Sequence, residues 1–196
     1  MDKENSGNKN KLKMGLIITG LFVAIFLFGS FYSTQKATHV VQTQSQWQEF
    51  NSVIGSFKIL FPTSPEEKIQ GDQSNGITTF KGELYSSVLN DSVAYFVSFT
   101  EYLTKMDTSN LDGNLEKVAN GMAAIYPESK LTSANLIDFN GHRGIDFLIN
   151  ITSENMYIKG RATMVGQRLY VIYETYKTGS YNDSDYNKFI NSFQLQ

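Results

Sequence analysis

A chain of 196 residues that is 41% hydrophobic and 13% aromatic has enough apolar material for one packed domain with an appendage, and is not a disordered chain. Its net charge is -2, and its basic residues do not cluster beyond the first fourteen positions, so the electrostatic footprint of a nucleic-acid-binding protein is missing. The lack of cysteine excludes disulfides, thiolate metal sites, cysteine nucleophiles and a lipidated cysteine, but is neutral about compartment.

Residues 1–13 form a basic tail carrying Lys3, Lys9, Lys11 and Lys13. From Met14 to Gln35 no residue is charged, and Leu16, Ile17, Ile18, Leu21, Phe22, Val23, Ile25, Phe26, Leu27 and Phe28 make the stretch apolar all round. At about 1.5 Å per residue such a helix covers a hydrocarbon core of roughly 30 Å. Lysines before it and Lys36 alone after it predict a single-pass signal-anchor with the amino terminus inside. The alternative is a cleaved signal peptide and a secreted domain. Two features favour the anchor: the apolar run is longer than a signal h-region, and Ala37 preceded by Gln35 is a poor cleavage site. Two acidic and four basic residues precede Met14, which leaves the exported remainder with a net charge of -4.

Residues 36–46 are polar and read as a tether, with a globular domain from Trp47 to Gln196. In "GSFKILFPTSPEE", from Gly55 to Glu67, Phe57, Ile59 and Phe61 alternate as an inward stripe. Pro62 and Pro65 should end that strand, with Glu66 and Glu67 in a solvated turn. Further strands are expected over 77–85 and 93–100, joined through Asn90-Asp91. The period then changes: Leu111, Leu115, Val118, Ala119, Met122 and Ile125 make a helical stripe. Ser109 is its expected N-cap, Asp112 completes a weak capping box, and Pro127 stops it.

Four strand patterns follow, over 131–139, 143–152, 156–165 and 168–176, with Asn140-Gly141 and Gly166-Gln167 as tight turns that make neighbours antiparallel. Residues 183–193 place Tyr186, Phe189, Ile190 and Phe193 on one helical face, capped by Asn182 or Asp183. Strands, helix, strand meander and helix define an α+β domain with an antiparallel sheet between helices.

The segments "WQEFNSVIGSFKILFPTSPEE", "NGHRGIDF", "GRATMVGQRLYVIYETY" and "FINSFQLQ" resemble the PsbP-like superfamily, which includes the photosystem II subunit PsbP, a yeast Ran-binding import factor and bacterial envelope proteins such as DcrB. The resemblance covers roughly Trp47 to Gln196 and is one of order and punctuation. It implies an antiparallel sheet sandwiched between helices, and a role in binding other proteins rather than in catalysis. It carries over neither metal retention nor Ran binding.

No H-E-x-x-H, H-x-x-x-H or G-x-S-x-G pattern is present, and no cofactor is expected. The sharpest polar cluster is Asp138, His142, Arg143 and Asp146, bracketing one hairpin as a candidate contact for an anion, a metal or a partner; its bland reading is a solvated turn with a local Arg-Asp pair. Asp107, Asp112 and Glu116, and separately Asp183 and Asp185, miss the alternating calcium-loop spacing and suit helix starts better. Tyr170, Tyr173 and Tyr176 should fall on both faces of one strand. The expectation is a non-enzymatic, membrane-tethered domain on the outer side of a bacterial cytoplasmic membrane, periplasmic or extracytoplasmic, binding an unidentified envelope protein. The alternatives are an envelope hydrolase using His142 and Asp138, or a small-ligand or metal receptor.

Overall fold

The computed structural model describes residues 46–74 and 79–196, with side chains described for 46–67 and 80–196. The anchor segment from Leu16 to Phe28 therefore lies outside the described residues, as do the tether up to residue 45 and the start of the strand expected at 77. Among the described residues no helix is long and apolar enough to cross a membrane.

The strands are β1 (Gln48–Ser52), β2 (Phe57–Phe61), β3 (Glu66–Ser74), β4 (Thr79–Asn90), β5 (Val93–Tyr102), β6 (Ser129–Phe139), β7 (His142–Ile151), β8 (Met156–Val165), β9 (Arg168–Lys177) and β10 (Gln194–Leu195). The helices are α1 (Leu111–Ala123) and α2 (Asp183–Ser192), with one 3-10 turn at Thr152–Glu154. Seven strands form an antiparallel sheet in the order β3-β4-β5-β9-β8-β7-β6, which makes β9 the central strand; β1, β2 and β10 form a second, three-stranded sheet.

Because successive side chains in a strand point to opposite faces, the large sheet buries two cores. Towards α1 lie Phe80, Phe96, Ile145, Phe147, Ile158, Val171 and Tyr173, packed on Leu115, Val118 and Met122. Towards the small sheet and α2 lie Tyr85, Tyr95, Phe99, Tyr170, Ile172 and Tyr176, packed on Phe57, Ile59, Phe61, Phe189 and Phe193. Tyr170 and Tyr176 thus share one face and Tyr173 takes the other, as the alternation predicts. The second cover is a correction to the expected plain helix layer: a three-stranded sheet shares that face with α2. The β1–β2 turn is stitched to the large sheet by Tyr170 Oη donating to the Gly55 carbonyl at 2.9 Å and by Arg168 Nη1 donating to Ser56 Oγ at 3.1 Å. The Ser192 hydroxyl accepts from the Leu60 amide at 2.9 Å and ties α2 to β2.

Three further expectations need correction. Glu66 and Glu67 are not a turn; they open β3, which pairs with β4 from Glu66 opposite Ser86 onward. Pro62 and Pro65 still end β2, and the chain re-enters a sheet directly afterwards. The N-cap of α1 is Asn110, whose side chain accepts from the Gly113 amide at 3.0 Å; Ser109 is turned back instead, its amide and hydroxyl both donating to Asp107. Helix α1 ends at Ala123, where Ser129 Oγ donates to the last carbonyl, before Pro127 is reached.

Candidate functional site

The hairpin quartet is split by the pleat. Strands β6 and β7 pair with Phe139 opposite His142, so Asp138 faces Arg143 across the ladder. Arg143 and Asp146 differ by an odd number of positions and therefore lie on opposite faces. Arg143 forks onto Asp112 of α1, with Nε to Oδ1 at 2.7 Å and Nη2 to Oδ2 at 3.0 Å, and each partner holds the other in its charged form: Asp112 sits below the usual carboxylate range and Arg143 is raised. Asp146, on the other face, accepts from Arg161 Nε at 2.6 Å, and Arg161 Nη1 reaches Asn191 Oδ1 of α2 at 3.1 Å. Asp138 accepts from the Gly141 amide at 3.1 Å, which closes the turn whose Asn140 and Gly141 both have positive φ. His142 is half-buried at the head of β7. The arginine of the hairpin thus pairs with a helix distant in sequence, and the four residues do not converge on one point.

A different constellation does converge, on the face under α2. Glu174 lies in the middle of β9, directly opposite Tyr95 of β5 on one side and Lys159 of β8 on the other. It is 0% exposed, and neither carboxylate oxygen has a hydrogen-bond partner among the described residues. Burial pushes its pKa up to about 8, assisted by Asp185 and opposed by Lys159.

Lys159 does not reach the carboxylate. Its ammonium sits 4.4 Å from the ring centre of Tyr181 and 4.3 Å from that of Tyr186. It also donates to Tyr181 Oη, which in turn donates to Asp183 Oδ1 at 2.8 Å. Tyr176 packs 4.9 Å from Tyr181 and stacks on Tyr157 at 5.4 Å. On the β5 side Tyr95 meets Trp47 edge-on at 5.5 Å, and Lys188 of α2 lies 5.1 Å over the Trp47 ring.

Helix α2 brings Tyr186 here because Asn182 caps it, accepting from the amides of Ser184 at 3.0 Å and Asp185 at 3.2 Å, and so fixes which face it turns to the sheet. Burial raises Tyr95, Tyr181 and Tyr186 well above the ordinary phenol range and pushes Tyr176 up to about 12, so these hydroxyls stay neutral. The arrangement holds a lysine ammonium among phenol rings beside a buried carboxyl whose neutral form burial favours.

Sequence reading passed over this cluster, yet its signal is in "LYVIYETY": a lone acidic residue in an otherwise apolar central run. The Gly166-Gln167 turn also fixes the register that sets Glu174 against Lys159. Asp107 closes a turn with Ser109, Asp112 pairs with Arg143, Asp183 accepts from Tyr181 and Asp185 lies in the first turn of α2, and among the described residues no three His, Asp or Glu side chains are grouped to hold a metal ion.

No family model matches the chain, and no curated protein matches it in sequence. Among solved structures it is similar to cyanobacterial PsbP (CyanoP) from Synechocystis sp. PCC 6803, with a TM-score of 0.54 and 11% identity over 84% of this chain and 99% of that one. A protein of unknown function from Pseudomonas aeruginosa, described as a putative regulator, aligns at a TM-score of 0.37 and 8% identity over 72% of this chain and 88% of that one, too distant to support any argument. The likeness to cyanobacterial PsbP extends over nearly the whole of that protein, and the chain has a PsbP-like fold.

Proposed function

We propose that the protein is a membrane-tethered, non-enzymatic accessory module of the bacterial cell envelope that binds another envelope protein. Residues 14–35 are its single-pass anchor, residues 36–46 its tether, and the α+β domain stands on the outer side of the cytoplasmic membrane. The observation that carries this reading is the PsbP-like fold of the domain, in a chain whose apolar segment is preceded by four lysines. The mechanism is display: a tether holds the domain at a high effective concentration near membrane partners without any new contact.

Crosslinking and affinity capture of the full-length protein from its native membrane is the test. Reproducible recovery of one envelope protein is expected, and recovery of abundant bystanders alone counts against a dedicated partner. Terminal sequencing of the membrane-extracted protein tests the anchor separately: a mature chain starting near residue 38 would overturn the tether.

A further inference from the structure

We propose that Lys159 and Glu174 form a proton-controlled switch: while Glu174 is neutral the Lys159 ammonium rests in the Tyr181–Tyr186 cage, and release of the Glu174 proton to solvent draws that ammonium onto the carboxylate and empties the cage.

The geometry supports both positions. Lys159 and Glu174 are directly opposite on neighbouring strands, where Cβ atoms stand roughly 4.5–5.5 Å apart, within the reach of a lysine stem. A carboxylate ionised in the present arrangement would be a fully buried charge with neither oxygen hydrogen-bonded, a state that is strongly unfavourable unless a donor arrives.

The groups that face Glu174 leave one cation in position to supply it. Strand β5 presents Tyr95, β9 presents Tyr176, β8 presents Lys159 with Tyr157 beyond it, the segment before α2 presents Tyr181, and α2 presents Asp183, Asp185 and Tyr186. Burial keeps Tyr95, Tyr176, Tyr181 and Tyr186 protonated, and Tyr181 already donates to Asp183. Of the neighbouring cations, Arg161 is held by Asp146 and Asn191, and Lys188 lies over Trp47 on the outer side of α2. Lys159 is the cation directly opposite Glu174, and it is held by neutral groups, two phenol rings and a hydroxyl, so its move breaks no ion pair. Asp185 repels the newly formed carboxylate and strengthens its demand for a cation. The readout of the switch is the faces of Tyr181 and Tyr186 at the start of α2, covered in one state and vacated in the other.

The test is a side-chain NMR titration of the full chain in detergent micelles, from about pH 3 to about pH 9.5, a window that brackets the ordinary glutamate value and the raised one. Lys159→Met assigns the Lys159 ε-methylene signal, which starts displaced upfield by the two rings. The expected result is that this signal moves towards the position of an ordinary lysine with the same midpoint as the Glu174 carboxyl carbon, and that Glu174→Gln leaves it upfield throughout. A carboxyl that titrates while Lys159 stays still, or a Lys159 transition that survives in Glu174→Gln, overturns the proposal. Should Glu174→Gln fail to fold, the wild-type co-titration decides alone.

Discussion

Phe57→Ala tests whether the two sheets are one core. Phe57 is 0% exposed and is met by four rings from four other elements: Phe50 of β1 at 6.3 Å, Tyr85 of β4 at 5.8 Å, Tyr170 of β9 at 6.2 Å and Phe193 after α2 at 5.4 Å. A buried phenylalanine truncated to alanine costs about 3–5 kcal/mol. The upper end, about 4 to 5 kcal/mol, applies here because the surrounding rings are anchored and collapse poorly: Tyr170 is hydrogen-bonded to Gly55 and Tyr85 to Ser52. With a urea slope of about 2 kcal/mol per molar, the midpoint falls by roughly 2 M. The assay is urea unfolding of the full chain in mild detergent, followed by far-UV circular dichroism and by the fluorescence of Trp47, the chain's single tryptophan, which packs on Tyr95 of the same face. A loss below about 1 kcal/mol, or a tryptophan transition well separated from the loss of strand signal, would refute a shared core and make the small sheet an independently melting cover.

Gly160→Ala places a Cβ 2.4 Å from the Ile172 carbonyl oxygen and 2.5 Å from the Tyr173 Cβ, so overpacking of about 2–3 kcal/mol is expected in the same urea assay, and a neutral result would mean that β8 and β9 are spaced more widely than described. Asn110→Ala should cost about 1 kcal/mol while Ser109→Ala costs a few tenths, the order expected if Asn110 caps α1. For Glu174 burial pushes the folded pKa up to about 8 from the ordinary 4.5, so the folded state keeps a proton that the unfolded chain releases. Stability should therefore fall as pH rises from about 4.5 to about 8, by at most about 1.4 kcal/mol per pH unit, and Glu174→Gln should flatten that slope in thermal melts across the range.

Legibility of the fold followed the energetic source of each element. Strands β2, β5, β8 and β9 are rich in apolar, aromatic and β-branched side chains, so the core that stabilises them is written in their sequence. Strand β3, "EEKIQGDQS", joins the sheet through its backbone ladder with β4 and carries little apolar pattern, which is why Glu66 and Glu67 read as a turn. The exposed run of β1 and the two residues of β10 give no pattern either, so the second sheet was invisible and only its central stripe, Phe57, Ile59 and Phe61, showed. The Arg143–Asp112 fork joins positions 31 apart in sequence on different elements, and no local spacing announces such a pair.

The constellation at Glu174 is of another kind, because the sequence does contain it once register is counted through the Gly166-Gln167 turn. The tyrosines around Glu174 belong to a packed aromatic core: Tyr95, Tyr176 and Tyr186 lie at 1%, 8% and 4% exposure. An apolar residue at 174 would satisfy that core, whereas the carboxyl must be kept neutral at a cost that grows with pH. Local chemistry that opposes packing in the central strand of a domain is the pattern expected where a sequence gives up stability for another purpose. The adjacent ammonium, held by rings and not by the carboxylate across from it, supplies a purpose in physical terms: a charge with two resting places. The surface that changes between them includes Tyr181, which is half-buried at the entrance to α2 and donates to Asp183.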